Sequence, residues 1–504
     1  MRTEKAIKNV KYNMIFYVIL SVLTFVTRKA FIIKLGNDIN GLNSLFTSIL
    51  SLMNLAELGI GSAVMFALYK PIAENNIPLV KGIMDLYKKM YAIAGGVMLF
   101  SGIVFTPFLG FFVKEQLPMD SVRIYYIIYL INTSLSYFFS YKLTLLYVNQ
   151  QSYVISKYDG IFKILKNLIQ IVVLYVFSSY AYFLIIETVF NSLYYYFINR
   201  FINKAFKEVL GTKGILDIKV KKSIYSNLKA LSLHKLGGFV VFGTDYMLMA
   251  YFVDFNTLGS YSNYLLIITF FGTLIMKVFD GLIASIGNLI SSSDSERTYD
   301  VFKKIFFFNF WIVSFVTVSI YNTIHHFIYI WVGELYVSDY ILILMLVSFF
   351  ITSMRPSIEK FKEAAGIYRQ DRFAPIVESL INFVASVILG RYFGIAGVIL
   401  GTILSSVAVI FWLRPVLVYR LVFKRSSLDY FIRYFKEIAI TIILLLTSNY
   451  IMGVIGFSST LMGFVLKCIF NILYINIVLV ILFRKTEEYL YFKNLVLRKI
   501  RKIQ

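Results

Sequence analysis

Apolar runs of about 20 residues recur along this chain, and that recurrence limits its fold more than any other feature. A helix of that length crosses the hydrocarbon core of a bilayer with every backbone group bonded within itself, which an open strand cannot do. Roughly fourteen spans are predicted, at 13–35, 42–66, 90–113, 122–148, 156–178, 180–203, 228–253, 258–291, 303–332, 337–354, 373–393, 394–418, 434–455 and 461–483. The runs at 258–291 and 303–332 are long enough to include interfacial or kinked portions. The expected fold class is an all-α polytopic membrane protein. With 504 residues, 59% of them hydrophobic, the chain is too apolar for a soluble protein. The formal net charge of +23 would suggest nucleic acid in a soluble chain, but these Lys and Arg lie mostly between apolar runs. There they set orientation, so no nucleic-acid partner is expected.

One side of the membrane collects the cations. The tail with Arg2, Lys5, Lys8 and Lys11, the loop Lys70–Lys89, the stretches Arg200–Lys222 and Arg414–Lys436 and the tail after Arg484 alternate with loops that carry only Lys34, Lys114, Arg123 and Arg391. By the positive-inside rule both termini are cytoplasmic and the number of spans is even. No small-residue cleavage site follows the first apolar run, so it is expected to stay as an anchor. Cys468 is the one cysteine and has no disulfide partner within the chain, and His234, His325 and His326 are too few for a soft-metal site.

Lys204–Ser223 is the longest non-membrane stretch on the basic side, and it divides the first twelve spans into two sets of six. The expected domains are an N-terminal bundle (1–206), a cytoplasmic linker (207–223), a second bundle (224–420), and two extra helices with a basic tail (421–504). A weak internal echo supports the division. Thr27-Arg28 followed by Asp38-Ile39-Asn40-Gly41 is paralleled by Thr244-Asp245 followed by Phe255-Asn256-Thr257-Leu258-Gly259. Two six-span halves around a midplane site is a recurrent transporter plan.

Charges inside the spans are the candidate functional residues, because a cation at membrane depth is costly unless it faces a bundle interior or a wet cavity. Tyr17, Ser21, Thr24 and Arg28 recur at helical spacing and form one polar stripe. Arg28, with Lys29 beside it, is read either as an inward-facing anion site or as part of a pair snorkelling to the interface. In the second span Thr47, Ser51, Asn54, Glu57 and Gly61 fall on one side of a continuous helix, and Glu57 is either a buried counter-ion or a proton- or ion-coupling group. The seventh span places His234, Lys235 and Asp245 in the membrane, with His234 and Asp245 on one face. His234 reads equally as a hydrogen-bonded interfacial histidine. Lys142 is explained as well by snorkelling as by a cavity role, and so is Arg355. Lys163, Lys166 and Gln170 make a further stripe. Cations outnumber acids within the spans, which favours an anionic ligand.

Enzyme signatures are missing from the sequence, with no P-loop, paired metal histidines or nucleophile elbow, so no enzyme and no cofactor is expected. Thr27-Arg28-Lys29-Ala30-Phe31, the turn Leu35-Gly36 with Gly41-Leu42-Asn43-Ser44-Leu45-Phe46, and Ala56-Glu57-Leu58-Gly59-Ile60-Gly61-Ser62-Ala63 with Leu68-Tyr69-Lys70-Pro71 resemble the bacterial polysaccharide repeat-unit flippases, the Wzx-type transporters of the MATE-like MOP superfamily. Tyr141-Lys142 with Leu145-Leu146-Tyr147 and Asn149-Gln150-Gln151, and His234-Lys235 with Thr244-Asp245, look like the same pattern. The resemblance implies two six-helix bundles facing a central cavity, plus two C-terminal helices. It further implies alternating-access export of oligosaccharides carried on an undecaprenyl-pyrophosphate-type lipid across the bacterial plasma membrane, for capsule, exopolysaccharide or O-antigen synthesis. Glycosyltransferases and a polysaccharide polymerase are the implied partners. On that reading Arg28, Lys29, Lys142 and Lys235 form the cationic site, while Glu57, His234 and Asp245 balance charge or couple an ion. The alternatives within the superfamily are a peptidoglycan-precursor flippase and a multidrug exporter. A membrane polysaccharide polymerase would need a larger outer loop than any here.

Overall fold

The chain is described by a computed structural model over residues 2–54, 59–113 and 117–501, with backbone alone at 2–7, 10, 229–243, 284 and 499–501. The described residues are helical almost throughout. Among the described residues eleven helices are long and apolar enough to cross a membrane, and the described parts of the predicted spans 42–66, 122–148 and 228–253 are helical as well. The chain is thus an all-α, multi-pass membrane protein.

Contacts divide it into two units, Met1–Gly259 and Ser260–Gln504. The first holds α1 (Arg2–Leu35), α2 (Asn37–Met53), α3 (Ile60–Ala73), α4 (Ile77–Phe105), α5 (Gly110–Val113), α6 (Met119–Phe139), α7 (Leu143–Val148), α8 (Ser152–Phe177), α9 (Tyr180–Ala205), α10 (Lys207–Gly211) and α11 (Ile218–Phe252). α12 (Phe255–Asp280) begins at its end. α11, which leads out of the 207–223 stretch, packs on α2 and α3. That stretch is itself pinned. The Ile215 amide donates to the Pro78 carbonyl at 2.9 Å, and its backbone lies so close to Gly82 that a Cβ there would clash with it.

The second span is not one helix. α2 stops at Met53 and α3 starts at Ile60, with Gly59 between them in the left-handed region at φ 81°. The expected continuous face from Thr47 to Gly61 is therefore interrupted, for a physical reason legible in Gly59, the residue that adopts such a φ most easily. Glu57 lies outside the described residues.

The two turns of the internal echo meet each other. Gly41 leaves no room for a Cβ beside the Phe255 carbonyl, and Gly259 leaves none beside the Asn37 carbonyl. Small residues permit this backbone-to-backbone approach. Asn37 Nδ2 donates to the Asn256 carbonyl at 2.7 Å and Asn40 Nδ2 to the Gly259 carbonyl at 3.0 Å. Asp254 caps the start of α12 by accepting from both the amide and the hydroxyl of Thr257, each at 2.8 Å. Desolvation pushes its carboxyl up, but these hydrogen bonds outweigh it and hold the group below the usual range.

The second unit contains the rest of α12, then α13 (Ile283–Ser292), α14 (Ser295–Val332), α15 (Asp339–Met354), α16 (Pro356–Ala364), α17 (Ala374–Phe393), α18 (Ile395–Ala408), α19 (Ile410–Val418), α20 (Leu428–Ile455), α21 (Leu461–Phe483) and α22 (Glu487–Arg501). The long run at 258–291 breaks between Asp280 and Ile283, whereas α14 runs unbroken for 38 residues. α14 packs on α15, α16, α20 and α21 and is the spine of this unit.

One end of the unit is tied by ion pairs. Arg355 bonds Glu378 at 3.3 Å, so it is paired within the protein rather than snorkelling. Lys360 bonds Asp280 at 2.7 Å. Arg414 pairs with Glu359 and lies 3.6 Å from Asp371, which also pairs with Lys362. Removing one member of a buried pair strands the other, at a cost of about 3–5 kcal/mol, whereas replacing both with apolar residues is often neutral. Asp371→Ala is therefore expected to lower the melting temperature of the detergent-solubilised protein sharply. Lys362→Met/Asp371→Leu should recover most of the loss, as followed by size-exclusion after heating.

Candidate functional site

The polar stripe of α1 has a destination. Tyr17, Ser21, Thr24, Thr27 and Arg28 line a cavity of about 480 Å³ inside the first unit, closed by residues from α2, α6, α8 and α9. The stripe is wet at little cost to the helix, because Ser21 Oγ donates to the Tyr17 carbonyl at 2.7 Å and Thr24 Oγ1 to the Leu20 carbonyl at 2.8 Å. The opposite side of α1 presents Val22, 59% exposed, and Val26, 49% exposed, as a lipid-facing surface would.

α8 supplies the facing wall with Lys163, Lys166, Asn167 and Gln170. Their spacing at i, i+3, i+4 and i+7 puts them on one face. Lys166 Nζ bonds Glu187 of α9 at 2.8 Å, and Lys163 bonds Asp159 one turn back at 2.8 Å. Thr27 Oγ1 donates to Asn167 Oδ1 at 2.9 Å and so ties the two walls together. Gln170, buried, donates to the Phe183 carbonyl at 3.1 Å.

Arg28 sits two turns before the end of α1 and donates from Nη1 to Asn40 Oδ1. Asn40 is fully buried, and its own Nδ2 holds the Gly259 carbonyl. One amide side chain thus connects the guanidinium to the close-packed turns. Tyr129, Tyr180 and Tyr246 come near Arg28 from α6, α9 and α11. Three cations and one acid line the cavity, and Lys163 and Lys166 are already paired with Asp159 and Glu187, so its net positive charge rests on Arg28. A pocket of that sign favours an anion, and a guanidinium suits a phosphate-type group.

Both polar stripes read from the sequence line this cavity, and of the described charged residues assigned there to the cationic or coupling site, Arg28 does. Lys29 is exposed on the next position of the helix. Lys142 stands in the tight turn Ser140–Lys142 and donates to Asn203 Oδ1 at 2.8 Å. Asp245 is half-buried on α11. The side chains of His234 and Lys235 lie outside the described residues, as does Glu57. Sequence reasoning passed over Glu187 and named Asn40 only as part of the internal echo. Glu187 could have been found as an acid inside the apolar run 180–203, whereas the echo marks the turn around Asn40 without pointing to Arg28 as its partner.

No family model matches the chain, and no curated protein matches it. Solved structures do. The lipid II flippase MurJ in an inward closed conformation superposes with a TM-score of 0.63 at 14% identity, covering 93% of this chain and 99% of that one. An inward-facing multidrug resistance MATE family transporter of the MOP superfamily gives 0.58 at 14%, over 81% and 97%. The Vibrio cholerae MATE transporter VcmN gives 0.56 at 12%, over 84% and 99%. The chain has the fold of these proteins.

Accessibility tests the cavity directly. In a Cys468→Ala background, a cysteine at Ser21 or Thr24 is expected to react with a charged, membrane-impermeant thiol reagent. One at Val22 or Val26 should stay unmodified, and equal labelling of the two faces would refute a wet stripe.

Proposed function

We propose that this protein is a flippase that carries oligosaccharides linked through pyrophosphate to a polyprenyl lipid across the bacterial plasma membrane, with both termini cytoplasmic. The observation that carries the reading is the cation-rich cavity at membrane depth in the first unit, headed by Arg28. The likeness of the fold to a lipid flippase and to exporters supports it. In this proposal the guanidinium of Arg28 takes the pyrophosphate, with Lys163 and Lys166 as the second source of positive charge. In this proposal these lysines take the role that the sequence suggested for Lys29 and Lys142. The hydroxyls of the α1 stripe and Tyr129 meet the first sugar, while the lipid tail stays in the bilayer. Alternating access then exposes the headgroup outside. Glycosyltransferases supply the repeat unit and a polymerase consumes it. Binding of the phosphate draws Arg28 from Asn40, so one contact serves both recognition and release of the closed turns.

A second reading, flipping of the peptidoglycan lipid precursor, is favoured by the match to a structure named for lipid II over nearly the whole chain. Both readings use the same cations. The deciding experiment is a strain lacking the protein, assayed for surface polysaccharide and for lipid-linked repeat units. Lost polymer with precursors held at the inner leaflet is the expected result. Growth arrest would favour the second reading, and normal polymer with altered drug sensitivity would overturn both. A charge-assisted hydrogen bond contributes about 1.5–3 kcal/mol, so complementation by Arg28→Ala or Lys166→Ala should fall roughly tenfold or more at normal membrane levels. Lys142→Ala should complement fully.

A further inference from the structure

At the end of the second unit where α14 and α20 finish and α15 and α21 begin, a separate pocket of about 750 Å³ opens. Its volume falls within the roughly 300–1,000 Å³ of small-molecule sites. Two of the chain's three histidines stand in its wall. His325 is fixed from both sides, with Nδ1 2.6 Å from Tyr264 Oη and Nε2 3.0 Å from Asp339 Oδ1. This arrangement aims the Asp339 carboxylate along the rim and leaves it 80% exposed. His326 Nε2 lies 3.1 Å from the Thr460 carbonyl and secures the α20–α21 turn beside the pocket. Tyr329 and Tyr336, each 44% exposed, offer ring faces. From α21, Lys467 lines the same space half-buried, and no ion pair satisfies it among the described residues. A half-buried lysine that faces a pocket without a counter-ion offers its charge to an anion there.

We infer that this pocket, formed by Lys467, Asp339, Tyr329 and Tyr336, binds a saccharide bearing an acidic group. The aromatic faces pack against the apolar face of a sugar ring. Asp339 accepts from its hydroxyls, and Lys467 meets its carboxylate or phosphate. None of these groups belongs to the cavity of the first unit, so the site stands whether or not the chain transports lipid-linked sugars. Under the proposed orientation it faces outward.

The test is saturation-transfer NMR on the full chain in nanodiscs, in an Arg28→Ala background that removes the other cationic site, with glucuronic acid, glucose and inorganic phosphate as probes. Glucuronic acid is expected to receive saturation several-fold more strongly than glucose. Lys467→Met should reduce it to the glucose level, and Tyr336→Ala, a change at an exposed ring, should weaken both sugars. Phosphate should displace glucuronic acid only at large excess. Unchanged transfer in both variants, no transfer in a monodisperse preparation, or equal competition by phosphate with no effect of Tyr336→Ala would each overturn the assignment.

Discussion

A polar side chain inside hydrocarbon has no bulk water to return to, so it must find a partner or a wet space. Both units answer that constraint, in different ways. In the second, the charged groups near one end are paired with each other, as Arg355 is with Glu378 and Lys362 with Asp371. Such pairs are spent on holding helices together. In the first, Arg28, Lys163 and Lys166 are anchored but still line open space. The same residue types therefore serve architecture in one half and leave a charged chamber in the other. Asn40 is the hinge of that difference, since it satisfies the guanidinium and the close-packed turns with a single side chain.

Much of this was legible before any coordinates. Every predicted span corresponds to a helix or a pair of consecutive helices, because bilayer thickness makes length and hydropathy nearly sufficient. The α1 stripe and the α8 stripe were visible as helical periodicity, and both line the cavity. What failed was the assumption of uninterrupted helices. Gly59 breaks the second span and the tight turn at Ser140–Lys142 breaks the fourth. A phase argument carried through either point assigns the wrong face. Lys29 shows another limit, for it sits about 100° further round α1 than Arg28, on an exposed side away from the stripe. Partners distant in sequence, such as Glu187 for Lys166 or Glu378 for Arg355, leave no local pattern.

The unbroken α14 has a mechanical consequence. Its 38 residues extend about 57 Å, against roughly 40–45 Å for a bilayer with its headgroups. A rod of that length either leans strongly or stands clear of the surface, and thinning or thickening of the membrane changes which it does. α15, α16, α20 and α21 are all fastened to it, so the tilt of one rod is passed to its companions together.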